Sequence, residues 1–159
     1  MSDLSHADAA GKARMVDVSG KPVSQRRALA RGRVVLGEKA FTAMRKNETA
    51  KGDVLAVAQI AGIAAAKRCG ELIPLCHPLA LEHVAIRFEP DESTRSLGIE
   101  CEVRAEGKTG VEMEAMTAVC VAALTVYDML KAVDREIRIA EVELQEKSGG
   151  KSGSWQRGA

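Results

Sequence analysis

The chain has 159 residues but only four aromatic side chains, Phe41, Phe88, Tyr127 and Trp155. Single-strand nucleic-acid binders stack bases on aromatic platforms, and four scattered rings can hardly build one. Charge of one sign is not in excess either, with 23 Lys plus Arg against 22 Asp plus Glu and a net charge of +1. That argues against a nucleic-acid partner held by bulk charge, while local basic clusters stay open. The most apolar run, Val54 to Ala66, covers 13 residues and contains Gln59, short of the roughly 20 a bilayer requires. No membrane partner is expected. Met1 to Ala10 has neither the basic nor the apolar region of a secretory leader, so the expected location is cytoplasmic. Cys69, Cys76, Cys101 and Cys120 show no CxxC spacing, and four free, mostly buried thiols are expected.

What is present suits a single soluble domain: 46% apolar and 28% charged residues over a length that about one domain occupies. Residues 1–14 read as a flexible arm, 15–146 as one domain, and 147–159 as a Gly/Ser/Lys-rich tail. Met15 to Ser19 reads as a short strand. Arg26, Arg27, Arg31 and Arg33 lead into a second, Val34 to Leu36, and Glu38 to Lys46 suits a short helix. Val54 to Cys69 is apolar around most of its circumference, which predicts a buried helix capped by Asp53. Gly62 inside it implies close packing against a neighbour. Leu72 to Pro78 holds two prolines and reads as a stiff loop carrying His77. The period then becomes two, over Val84 to Phe88 and Leu97 to Val103, which predicts a hairpin.

Thr109 and Glu112 have capping-box spacing, so a helix is expected from Thr109 to about Val133. Met116, Val119, Cys120, Ala123, Tyr127 and Leu130 would form its core stripe. A last strand, Ile137 to Leu144, slips in phase near Ala140. From Arg33 onward the order is βαββαβ, an α+β, ferredoxin-like split βαβ arrangement with an antiparallel sheet and helices on one face. The other face is left bare, and a partner subunit is the usual cover.

Several residues could carry chemistry. Asp128 and Lys131 are three apart on one helix face and read either as a solvated ion pair or as an acid–base pair. In the second case partial burial would draw the lysine toward neutrality. Capping accounts for Glu112; Glu114 is less well explained and suits a guanidine-like ring edge. His77 is open between a structural role, a proton donor and a phosphate contact. The spacing of Cys69, Cys76, His77 and His83 matches no common zinc module. Lys51 precedes a helix N-terminus, where an anion is favoured. Gly149-Gly150-Lys151-Ser152 is not a phosphate-binding P-loop, because Gln145 stands where a glycine is required. Lys147 and Lys151 among glycines could still fold over a phosphate. Together these signals suggest a small, phosphorylated, guanidine-bearing ligand.

Long strings carry a closer resemblance. Met15-Val16-Asp17-Val18, Lys51-Gly52-Asp53-Val54, Leu72-Ile73-Pro74-Leu75-Cys76-His77-Pro78-Leu79, Gly107-Lys108-Thr109-Gly110-Val111-Glu112-Met113-Glu114-Ala115 and Leu124-Thr125-Val126-Tyr127-Asp128-Met129-Leu130-Lys131-Ala132 resemble the molybdenum cofactor biosynthesis protein C (MoaC) family, from about Met15 to Gly153. The resemblance implies a cyclic pyranopterin monophosphate synthase, a lyase. It would convert 3′,8-cyclo-7,8-dihydro-GTP to cyclic pyranopterin monophosphate and release pyrophosphate. It implies a homohexamer, a trimer of dimers with sites at subunit interfaces, and no redox cofactor or protein-held metal, with Mg²⁺ entering only alongside the triphosphate. Lys131 is then the general acid or base, Asp128 its orienting partner, and Lys51 a phosphate contact and second proton source. His77, with Leu75 and Cys76, lines the pocket. Met113 and Glu114 bind the guanine-derived ring beside Glu112. Arg26, Lys147 and Lys151 meet the triphosphate. Two other classes remain: a non-catalytic ferredoxin-like binding module, and a zinc-dependent cyclohydrolase-like enzyme on a pterin route.

Overall fold

The computed structural model describes residues 12–151 and 153–158. Most of the expected arm (residues 1–11) and Ser152 of the glycine-lysine string lie outside them. The elements run β1 (Ser24–Val35), α1 (Glu38–Lys46), α2 (Val54–Lys67), α3 (Cys69–Leu72), β2 (His83–Asp91), β3 (Ser96–Gly107), α4 (Glu112–Leu130), β4 (Arg138–Ser148) and β5 (Trp155–Gln156). The strands form one sheet in the order β2-β3-β1-β4-β5, antiparallel at every pairing. The first four strands give the ferredoxin-like arrangement, and β5 adds an edge.

β1 is longer than Val34 to Leu36, because the basic stretch before it is itself strand. Ala28, Ala30 and Val34 point at the helices and are fully buried. Arg27, Arg31 and Arg33 point to the other face. Small alanines alternating with arginines give a weak apolar signal, which hid the strand. Met15 to Ser19, expected as a strand, is irregular chain, and it turns through a Lys21 N–H to Val18 carbonyl bond of 3.0 Å. Lys147 and Ser148, read as the start of the tail, close β4 and pair with Ala28 and Arg27. The phase slip near Ala140 is real: Arg31 faces Glu143 whereas Arg33 faces Ala140, so β4 bulges there, with Glu141 at φ 54°.

α4 crosses the helix-side face of β1, β3 and β4, and α2 packs beside it against β2. α4 starts at Glu112, not Thr109; Val111 is its N-cap residue and no side chain caps it. Its buried side also differs from the expected stripe. Ala115, Ala118, Val119, Ala122, Ala123, Val126 and Leu130 are buried, whereas Cys120 is exposed and Met116 and Tyr127 are half-buried. The helix meets a sheet below and α2 at its side, so a wider arc is covered than one stripe predicts. By length and a mean hydropathy of 1.4 it could cross a membrane, but it is the core helix of this domain. Gly62 marks the α2–α4 contact: a Cβ there would lie 2.9 Å from the Ala118 carbonyl and collide with Ile86.

The bare face of the sheet is not apolar. Arg27 bridges Glu102 and Glu146 at 2.7 Å each, Arg104 joins Glu102, and Glu100 takes both Arg31 and Arg87. The face expected to be left bare therefore carries ion-paired side chains. The helix layer carries several exposed apolar side chains: Val57 and Ile60 on α2, Leu72 on α3 and Leu124 on α4.

Candidate active site

A cavity of about 1090 Å³ opens where the N-terminus of α4, the start of β1 and the end of β4 converge. All nine residues expected to bind substrate line it: Arg26, Leu75, Cys76, His77, Glu112, Met113, Glu114, Lys147 and Lys151. Each arrives by a different local cause. The prolines Pro74 and Pro78 stiffen the chain through Leu75 to His77. Arg26 is on the helix side of β1, and its Nε donates to the Gly107 carbonyl at 3.1 Å. Lys147 near the end of β4 reaches Glu112 at the start of α4, with Nζ 2.8 Å from Oε1. Glu112 is therefore an ion-pair partner rather than half of a capping box. Gly149 and Gly150 hold φ of 102° and 72°, and the turn they form folds the chain over Arg26.

Further residues of the wall escaped the sequence reading. Val16 and Val18 cross the cavity, with Lys21 beyond them. The His77 ring holds this segment, its Nε2 donating to the Val16 carbonyl at 2.9 Å. Lys108 holds it too, donating to the Ser19 carbonyl at 2.7 Å. Ser24 Oγ is buried at the wall with no hydrogen-bond partner among the described residues. The only signal for Lys108 was its place directly before Thr109 in a motif string, and for Lys21 its place shortly after another.

Glu114 is 3% exposed. Burial pushes its carboxyl up and the Glu112 charge adds to the rise, partly offset by its own backbone N–H and the neighbouring Cys69 thiol. Cys69 is pushed to about 12 by burial, and Cys76 is raised by the same cause. Both remain thiols at neutral pH. All four cysteines are free; Cys69 and Cys101 are buried, Cys76 is half-buried and Cys120 exposed. Among the described residues no three His, Cys, Asp or Glu side chains group as a metal site.

The three expected catalytic residues form a separate cluster at the other end of α4. Asp128 takes Lys131 Nζ on Oδ1 at 2.7 Å and Lys51 Nζ on Oδ2 at 2.6 Å. Lys51 also donates to the Asp128 carbonyl at 3.1 Å. Hydrogen bonds from Lys131 and Lys51 hold the Asp128 carboxyl at about 2. Lys131 is raised by its bond to Asp128, the reverse of a shift toward neutrality, because the pair is half exposed and burial has little hold on it. Between Met113 and Asp128 α4 advances 15 residues, about 22 Å at 1.5 Å per residue. One chain thus holds the binding cavity and the Lys–Asp–Lys cluster apart.

The MoaC family model matches residues 15–150, which takes in both the cavity and the cluster. The chain belongs to the MoaC family. Its relatives include a protein of Thermomicrobium roseum, 57% identical over 157 residues, covering 99% of this chain and 95% of that one. One of Chloroflexus aurantiacus is 56% identical over 156 residues, covering 98% and 96%. A third, of Heliobacterium modesticaldum, is 55% identical over 157 residues, covering 99% of each. All three are named cyclic pyranopterin monophosphate synthase. MoaC membership covers both ends of α4, so both groups of residues fall within what this chain shares with its family.

Proposed function

We propose that this chain is a cyclic pyranopterin monophosphate synthase. It converts 3′,8-cyclo-7,8-dihydro-GTP to cyclic pyranopterin monophosphate and pyrophosphate, a step of molybdenum cofactor biosynthesis. The observation that carries the reading is a convergence: Leu75 to His77 and Glu112 to Glu114 from the motif strings, and the glycine-lysine stretch Lys147 to Lys151, line one cavity of fitting chemistry.

The ring and the phosphates call for different partners. Glu114, buried beside Met113, offers a carboxylate to the paired N–H groups of the guanine-derived ring. Glu112 closes that side. Arg26, Lys147 and Lys151 face the triphosphate, and His77 with the Leu75–Cys76 segment forms the wall. Closing a cyclic phosphate and rebuilding the ring requires proton transfers at defined atoms. Asp128 keeps Lys131 protonated, so Lys131 starts as the acid, and Lys51 supplies phosphate contact and a second proton. Turnover needs no redox cofactor and no protein-held metal; Mg²⁺ enters only with the triphosphate.

The roughly 22 Å along α4 supports a site shared between subunits. In a homohexamer, a trimer of dimers, the cluster of one subunit completes the cavity of its neighbour. Val57, Ile60, Leu72 and Leu124 supply apolar area for such contacts. Docking would also bury Lys131 and lower its proton affinity. The enzyme works in the cytoplasm on its GTP-derived substrate.

The test is incubation of the pure protein with 3′,8-cyclo-7,8-dihydro-GTP, following both products by mass spectrometry. Pyrophosphate together with cyclic pyranopterin monophosphate is expected. Unchanged substrate from folded, hexameric protein would overturn the reading.

A further inference from the structure

The segment from Val16 to Lys21, which crosses the cavity ahead of β1, is neither helix nor strand. Two side chains from distant parts of the chain fasten it. His77 donates from Nε2 to the Val16 carbonyl at 2.9 Å, and Lys108, directly after β3, donates to the Ser19 carbonyl at 2.7 Å. Local bonds shape the rest. The Ser19 N–H donates to Asp17 Oδ1 at 2.8 Å, and the Lys21 N–H to the Val18 carbonyl at 3.0 Å. The second bond closes a β-turn whose central residues are Ser19 and Gly20.

We infer that Lys108 is a positioning residue: by holding the Ser19 carbonyl it fixes the Val18–Lys21 turn, and so keeps the Lys21 ammonium in the cavity for the phosphates of the substrate. The inference rests on the proposed function only in giving Lys21 those phosphates.

The peptide that Lys108 holds is the one in a β-turn that can flip. Rotating the central peptide, here Ser19–Gly20, converts a type I turn to type II and points its carbonyl the other way. Type II requires φ of about +80° at the third residue, which glycine adopts freely. Gly20 stays out of that left-handed region, and the Ser19 carbonyl meets Lys108. The residues of the turn permit both forms, and the Lys108 ammonium selects one through a charge-assisted bond. The choice passes directly to Lys21. Its N–H is bonded into the turn, and Pro22 behind it restricts its backbone to extended conformations, so little freedom is left to absorb a flipped peptide. Lys21 lines the cavity, and among the described residues its ammonium has no hydrogen bond or ion pair; the same holds for Lys151. Arg26 and Lys147 are already bonded, to the Gly107 carbonyl and to Glu112. Lys21 thus brings an uncommitted positive charge to the cavity. Lys108 lines the cavity as well, so its competing role is a direct contact with the substrate.

The experiment separates the two roles with steady-state kinetics and amide hydrogen exchange of residues 16–21. The proteins are the wild type, Lys108→Met, Lys21→Ala, the double variant of these two, and Lys108→Met combined with Gly20→Ala. Lys108→Met is expected to raise KM about tenfold with kcat little changed, and to speed exchange of the Lys21 N–H. Lys21→Ala should raise KM by a similar factor. The double variant should be no worse, because Lys108 acts through Lys21. Gly20→Ala disfavours the flipped turn, since alanine resists positive φ, and its Cβ meets open space. It should recover most of the KM lost in Lys108→Met, a rescue that a direct phosphate contact would not show. Losses that multiply to about a hundredfold in the double variant would overturn the positioning role. So would a loss that Gly20→Ala leaves in place, or Lys21 exchange unchanged in Lys108→Met. If the wild type leaves the substrate unchanged, the proposed activity falls, and the same variants are compared by calorimetry with inorganic triphosphate. The same non-additive pattern in Kd then supports the role of Lys108; additive losses, or no binding, overturn it.

Discussion

Lys51 and Asp128 meet across 77 residues of chain: the ammonium ahead of α2 lies 2.6 Å from one carboxylate oxygen near the end of α4, while Lys131 takes the other oxygen. α2 and α4 pack side by side, and that contact brings the two helix ends together. Replacing Lys51, Asp128 or Lys131 by Ala is expected to cost about 10²–10⁴ in turnover, the range of general acid–base catalysis, with the assembly intact. Pyrophosphate release and gel filtration check it. The Asp128 carboxyl, at about 2, is below its ordinary 3.8. Its attraction for both lysines is therefore complete above about pH 4 and is lost only as pH falls toward 2. An acid limb in activity above pH 4 must then come from another group.

Glu114 has the opposite shift, raised by burial. The folded state binds its proton more tightly than the unfolded chain does, so stability falls as pH rises through the folded value. Glu114→Gln removes the buried charge. It should raise the melting temperature at pH 7 to 8, with a smaller gain at pH 4, while raising KM steeply. Calorimetry at both pH values and steady-state kinetics separate the effects.

Gly62→Ala would place a Cβ 2.9 Å from the Ala118 carbonyl. Backbone cannot yield as a side-chain tip does, so α2 and α4 must part. The expected loss is about 1–3 kcal/mol, read as a lower denaturant midpoint. Because the same contact aligns Lys51 with Asp128, turnover should fall with it.

Gly150→Ala combines a backbone at φ 72° with a collision against the Arg26 guanidinium. The turn over the cavity would shift and carry Arg26 with it. KM is expected to rise about tenfold for loss of one charge-assisted phosphate contact, with kcat little changed. A pH-independent kinetic comparison with the wild type measures this.

Much of the molecule was legible in its sequence, and the failures have physical causes. The hairpin β2–β3 showed because Val84, Ile86 and Phe88 alternate strictly with wetter residues over a sheet with one buried face. β1 stayed hidden because the helix-facing positions of its middle are Ala28, Ala30 and Gly32, too small to register as apolar, and its outward arginines are matched by glutamates far away in sequence. The capping box at Thr109 was a false start, since Lys147 from another element claims Glu112. The resemblance placed nine residues in the cavity but gave no role to Lys108, whose place depends on a partner 89 residues away. The bond between Asp128 and Lys131 was readable from their spacing; the arrival of Lys51 was not, because it is a tertiary contact.

α4 is rigid, and its length acts as a ruler: a chain cannot bend it to bring its own Lys131 to its own Glu114. In the assembly proposed here, damage at one end of the ruler is invisible to a site that uses the other end. A subunit carrying Lys131→Ala and one carrying Glu114→Ala, each inactive alone, form a mixed pair in which one site inherits both defects and the other none. Refolded together from equal amounts, the two dead proteins should regain about a quarter of wild-type activity. Two dead proteins that stay dead on mixing would mean that each chain works alone.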